Sequence, residues 1–255
     1  MRKVIIVGFI AFSVSACQTM KSETIHYTTA NVQNKFILTD KTVSSFPITL
    51  SGKLWLPEGD GPFPVVAWGH PTTRGSKSLE EWRRNLRNGL IEEGIGVLFM
   101  DSYTGRGLPD RNTWYKLNSS SRYIDGIRAL DVLAKHPKID PRRIGISGAS
   151  YGANVAMRLQ WETHMEQILP GGPRYAAHVA IYPPCNTIIK DFKSTGAPML
   201  ILIGQKDWNY ASRCEERAAE RQQAGAQVKV VTYPDAYHCF IASSPPRMVN
   251  SPVYS

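Results

Sequence analysis

Apolar positions along this chain come in two rhythms. Short unbroken runs recur at 63–70 (FPVVAWGH), 94–101 (GIGVLFMD), 143–150 (RIGISGAS), 178–185 (HVAIYPPC), 198–204 (PMLILIG) and 227–234 (QVKVVTYP). Each is rich in Val, Ile and Leu and ends in turn-forming residues. Continuous runs, rather than strict alternation, predict strands buried on both faces of a parallel sheet. Between them the spacing changes to threes and fours. Residues 78–93 put Leu79, Trp82, Leu86, Leu90 and Ile91 on one helical face, and residues 121–135 do the same with Ile124, Ile127, Leu130 and Leu133 before Pro137 ends the run. A shorter, more polar helix is predicted over 211–224, with Gly225 as its C-terminal stop. Strand and helix in alternation imply βαβ units with right-handed crossovers, an α/β fold. Ahead of them, 43–59 (VSSFPITLSGKLWLPEG) predicts an antiparallel pair at the sheet edge, turning near Ser51-Gly52.

At 255 residues, with 42% hydrophobic and 20% charged residues, the chain can bury one large core. Its formal charge of +9 is scattered over helices and loops. The one dense segment, 80–89 (EEWRRNLRNG), has acids first and bases later, the order a helix dipole favours, so no nucleic-acid partner is expected.

The N-terminus changes the picture. Arg2 and Lys3 precede an apolar run from Val4 to Val14 and then Val14-Ser15-Ala16-Cys17. The run is short for a membrane span and fits a secretory signal. Val14 to Cys17 resembles the lipobox of bacterial lipoproteins, which implies cleavage after residue 16 and lipidation of Cys17. The competing reading is an ordinary signal peptide with a chance cysteine. The expected organisation is therefore a signal peptide at 1–16, a tether and N-terminal segment at 17–42, and a single domain at 43–255. The expected location is the bacterial cell envelope, lipid-anchored and facing the periplasm or exterior. In an oxidising compartment Cys185, Cys214 and Cys239 are free to pair, with one left over. No Cys/His cluster with metal-ligand spacing is present.

Residues 148–152, Gly-Ala-Ser-Tyr-Gly, sit where a strand must become a helix. The pattern G-x-S-x-G is that of a nucleophile elbow: a turn too sharp for a Cβ at either glycine, holding the serine hydroxyl out of the backbone. A serine needs a base, and the base needs an orienting acid. In this fold order the acid and then the histidine follow the serine. Asp207 lies three residues past the run ending at Gly204, and His238 lies in a turn-rich loop after the last strand. Asp235 and Asp191 are rival acids, the first too close to His238 in sequence and the second in a polar stretch. His70 precedes the serine and reads as a structural loop residue. The oxyanion hole requires two backbone N–H groups: Tyr151 for one, and Thr72, with Thr73 in reserve, for the other, because Pro71 has none to give. Tyr182 and Tyr237 either line the pocket or simply pack. Arg74 and Arg106 either clamp an acidic group of a substrate or serve structure.

These residues resemble the α/β-hydrolase superfamily and, within it, the dienelactone-hydrolase-like family. The resemblance runs over about 43–240 and is carried by GHPTTRG, DSYTGRG, GASYG, AIYPPC, GQKDWNYASRC and YPDAYHCF. It implies a cofactor-free hydrolase with Ser150, Asp207 and His238 as its triad. It departs from true dienelactone hydrolases in having serine where they carry cysteine, and in placing Pro71 where the loop glycine is expected. The last sixteen residues lack helical periodicity, so the amphipathic helix that closes such folds is expected to be missing. Exported members of this type also carry cysteines after YPP and after the acid loop, implying a Cys185–Cys214 disulfide. Two functions follow as expectations. One is a serine hydrolase of small-molecule carboxylic esters, or of amides or peptides. The other is a non-catalytic envelope lipoprotein that keeps the fold as a binding scaffold.

Overall fold

The computed structural model describes residues 20–32, 46–72, 77–108 and 117–242. Eight strands form one sheet: β1 (Lys21–Thr29), β2 (Ile48–Leu56), β3 (Phe63–Gly69), β4 (Gly96–Asp101), β5 (Ile139–Ala149), β6 (Ala177–Ile181), β7 (Met199–Gly204) and β8 (Val228–Tyr233). Among the described residues five α-helices accompany them: α1 (Lys77–Glu92), α2 (Ser119–Ala134), α3 (Tyr151–Arg158), α4 (Glu162–Ile168) and α5 (Ala211–Gln223). The strand order is β1-β2-β4-β3-β5-β6-β7-β8. The pairings β1–β2 and β2–β4 are antiparallel, and every later pairing is parallel.

The sheet is covered on both faces, which explains the unbroken apolar runs. Along β4, Leu98 and Met100 enter a core shared with α2, while Val97 and Phe99 face the opposite core, against which Trp82, Leu86 and Leu90 of α1 pack. The three predicted helices, with β3, β4, β7 and β8, stand within one or two residues of their expected bounds, whereas β5 begins four residues earlier than expected, at Ile139, and β6 ends four residues earlier, at Ile181. Gly225 closes α5 in the left-handed region at φ 83°. The short helix α4 had no counterpart in the sequence pattern.

Two expectations are corrected at the sheet edge. No turn occurs at Ser51-Gly52: β2 runs straight through, with Gly52 opposite Ile25 on one side and Met100 on the other. Its missing side chain makes room for β4, since a Cβ there would lie 2.7 Å from Leu98 Cδ1. Instead of pairing within 43–59, β2 pairs antiparallel with β4 on one side and, on the other, with β1, inside the segment expected to be a tether. Residues Lys21–Thr29 therefore belong to the folded domain. The segment expected to be a signal peptide, Cys17, Thr73, Arg74 and the C-terminal tail beyond residue 242 lie outside the described residues.

Candidate active site

Ser150 stands at the carboxyl end of β5, in the middle of the parallel strands, where open α/β sheets place their ligands. Its backbone is strained, with φ 53° and ψ −115° in a non-glycine residue. The flanking glycines are forced by crowding. A Cβ on Gly148 would lie 2.5 Å from the Gly152 carbonyl, and one on Gly152 would lie 2.0 Å from the Gly69 oxygen. The tight spot is thus a three-way backbone contact of β5, α3 and the end of β3. Ser150 N–H donates to the Ile181 carbonyl at 2.9 Å, fixing the turn against β6.

The loops after β7 and β8 deliver the other two side chains. His238 Nε2 lies 3.1 Å from Ser150 Oγ, and His238 Nδ1 lies 2.9 Å from Asp207 Oδ2. Both partners are withdrawn from water, with side-chain exposures of 6% for His238 and 0% for Asp207. The second oxygen of Asp207 accepts the Asn209 backbone N–H at 2.8 Å, so the carboxylate is held at both ends. Aromatic rings fix the plane of the imidazole. Trp208 stacks on it at 4.1 Å, and Tyr182 meets it edge-on at 4.7 Å. With Nδ1 donating to Asp207, Nε2 is left as the acceptor for the serine proton. The rival Asp235 is an exposed residue paired with Lys206, at 2.9 Å.

His70 is engaged elsewhere. Ser102 N–H donates to its Nε2 at 3.3 Å, and its Nδ1 lies 2.6 Å from the Pro71 carbonyl, which takes the remaining ring proton. Burial, with the nearby Arg122 guanidinium, lowers its pKa to about 3. It stays neutral and has no nitrogen to offer a serine. Thr72 is half-buried in this loop, and its carbonyl accepts the Tyr103 hydroxyl at 3.0 Å. Tyr151 is the first residue of α3, so its N–H has no acceptor within the helix.

The two pocket expectations change. Arg106 makes a two-pronged pair with Asp125, at 2.8 and 2.7 Å, and its side chain is 2% exposed. Its remaining donors go to Asn31 and to the Ser102 and Ala30 carbonyls. All its hydrogen-bonding capacity is spent inside the fold, so it is no substrate clamp. Tyr182 is 1% exposed and packs against His238 and Phe240, supporting the imidazole rather than facing a substrate.

Cys185 and Cys214 are joined by a disulfide with Cα atoms 5.1 Å apart, and Cys239 is free. The bridge ties the loop after β6 to α5, directly behind the loop of Asp207. Among the described residues no group of three or more His, Cys, Asp or Glu side chains is arranged to hold a metal ion. Sequence reasoning missed Trp208, Asn209 and Arg122. The first two adjoin Asp207, and that adjacency was the available signal; Arg122 on α2 had none.

The sequence matches the dienelactone hydrolase family over residues 57–253. Among curated proteins it is 30% identical over 148 residues to esterase FrsA of Escherichia coli O157:H7, covering 58% of this chain and 31% of that protein. It is 33% identical over 123 residues to esterase FrsA of Yersinia pestis (strain Pestoides F), covering 45% and 27%. The chain thus spans about a third of the length of these curated relatives. Similar solved structures include a thermophilic esterase of Thermogutta terrifontis, with TM-score 0.59, 15% identity and coverage of 84% of this chain and 83% of that one. A dienelactone hydrolase-like promiscuous phosphotriesterase from metagenomic libraries gives TM-score 0.60, 15% identity and coverage of 86% and 84%. Sheet order, the crowded serine turn and the match across most of the sequence converge on one assignment: this chain belongs to the dienelactone hydrolase family.

Proposed function

We propose that this protein is a serine hydrolase of small-molecule carboxylic esters, working through an acyl-enzyme. One observation carries the reading: the unbroken line from Ser150 Oγ through His238 to Asp207, at 3.1 and 2.9 Å. Ser150 gives its proton to His238 Nε2 as Oγ bonds to the ester carbonyl carbon, and Asp207 holds the resulting imidazolium. The carbonyl oxygen takes up the negative charge and is met by the N–H groups of Tyr151 and Thr72. The C–O bond to the alcohol then breaks, and His238 returns the proton to the leaving oxygen. A water, deprotonated by the same imidazole, releases the acid and restores Ser150. The family and its esterase relatives support the ester as substrate.

A fluorophosphonate probe tests the assignment. The wild type should label and Ser150→Ala should not, with turnover of short-chain esters lost in parallel; equal labelling of the two removes the nucleophile. From the lipobox-like residues Val14 to Cys17 we further propose that a lipid on Cys17 holds the mature protein in the cell envelope. Metabolic labelling with an alkyne fatty acid should mark the wild type and leave Cys17→Ser unmarked.

A further inference from the structure

Arg122 is a fully buried cation with no carboxylate partner among the described residues. It is 2% exposed, and its Nε and Nη1 find no hydrogen-bond acceptor there. Burying a guanidinium without an ion pair is unfavourable, and an apolar side chain of like volume would fit such a core better. Stability does not account for it, so its contacts must.

Those contacts fall on two segments. Arg122 Nη2 donates to the His70 carbonyl and lies 3.4 Å from His70 Nδ1, gripping the loop that leads to Thr72. The same guanidinium lies over the Tyr151 ring at 4.7 Å. The Tyr151 hydroxyl is tied back to Ser119, on the same helix as Arg122, at 2.7 Å. Tyr103 closes the box: its ring is 5.8 Å from the guanidinium and 4.5 Å from the His70 ring, and its hydroxyl holds the Thr72 carbonyl. One cation therefore contacts the His70 carbonyl in one segment and the Tyr151 ring in the other, the two segments whose N–H groups the proposed function brings to a single oxygen.

We propose that Arg122 is a positioning residue for the oxyanion hole, locking the loop at 70–72 to the start of α3. The inference rests on the proposed function and extends it to a residue outside the hydrogen-bonded line of Ser150, His238 and Asp207. Arg122 Nη2 donates to the loop carbonyl while the guanidinium carbon lies over the Tyr151 ring, a pair of contacts that a lysine ammonium does not reproduce. Because a misplacement of about 1 Å in a reacting group costs on the order of 10²-fold in rate, the loss should fall on kcat.

The test compares Arg122→Met, Arg122→Lys and Tyr103→Phe with wild type, counting folded sites by active-site titration. Arg122→Met should lower kcat about 10²-fold with KM nearly unchanged, Arg122→Lys roughly tenfold, and Tyr103→Phe a few-fold. The specific readout is an ester paired with its thionoester. A carbonyl sulfur is a poor hydrogen-bond acceptor, so preference for the oxygen ester reports the hole itself. That preference should shrink in step with kcat, while the pH at half-maximal rate stays in place. Arg221→Met on α5 removes another buried guanidinium, bonded to Met157 O and Gln160 Oε1, and should leave both the per-site rate and the preference intact. Unchanged ester preference in a folded Arg122→Met overturns the proposal; if that variant does not fold, unchanged preference in Arg122→Lys and Tyr103→Phe does so. Wild type inactive on every ester removes the functional reading instead, a separate result.

Discussion

Ser150 adopts a backbone conformation that an unfunctional serine has no reason to keep, and that strain makes a measurable prediction. Glycine tolerates φ 53° without penalty, whereas alanine keeps the Cβ and its clash. Ser150→Gly should therefore be more stable than Ser150→Ala by about 1 kcal/mol, a gain of roughly 2–4 °C in Tm, with both inactive. Equal melting of the two variants would show that the turn stores nothing at this residue. Asp207 offers a second check. Its carboxylate selects the imidazole tautomer, and Asp207→Asn would let Nδ1 become the acceptor, turning the proton toward Ser150. On the scale seen when other triads lose this acid, kcat should fall about 10⁴-fold with the fold intact, a loss readable in a steady-state ester assay. At this scale the line of Ser150, Asp207 and His238 was legible, because the elbow pattern and the chain order each restrict the choice of residues. Arg106 and Arg122 were not. A basic residue gives the same letter whether it is solvated or buried, and only packing shows that one pairs with Asp125 and the other has no carboxylate partner among the described residues.

Between residue and molecule, the elements are held by contacts with little slack. Gly152→Ala would drive a Cβ to within 2.0 Å of the Gly69 oxygen, an overlap that only a backbone shift can relieve. We expect a loss of about 3 kcal/mol or more, with activity falling before the fold melts, measurable by urea titration beside an ester assay. The disulfide restrains the helix behind the acid loop across a separation of 29 residues. Replacing both Cys185 and Cys214 by Ser should cost about 2–4 kcal/mol, and a reductant should lower the Tm of wild type but not of the double variant. The elements were legible wherever an apolar run was long. They failed at β1, although its period of two is there to be seen: buried Tyr27 and Thr29 alternate with exposed His26 and Thr28. Thr, Ser and His outnumber the apolar residues of that strand, so composition spoke for a polar linker while alternation spoke for a strand. At β2 the Ser51-Gly52 pair has the composition of a turn, yet Gly52 marks a close approach between strands.

Across the whole molecule, three histidines are buried neutral and bias stability toward high pH. Burial, reinforced by Arg122, lowers His70 to about 3; burial with Arg158 lowers His164 to about 3; and burial, with a smaller push from Arg221, lowers His178 to about 4. An unfolded histidine takes up a proton below about 6.5, while these do not. The stability they protect is therefore complete above about pH 6.5 and drains away as pH falls toward 3–4. Each site contributes up to about 1.4 kcal/mol per pH unit within that window. Chemical denaturation at pH 7.5 and pH 5 should show a lower midpoint at the acid value, with a smaller drop in a folded His178→Gln variant.

The position of β1 has a bearing on where such an enzyme meets its substrate. Four residues from Cys17 to Lys21 reach at most about 14 Å, so an acyl chain on that cysteine would leave the hydrolase almost no leash. Its body would ride against the bilayer, and esters dissolved in or shed from that surface would be the first it encounters.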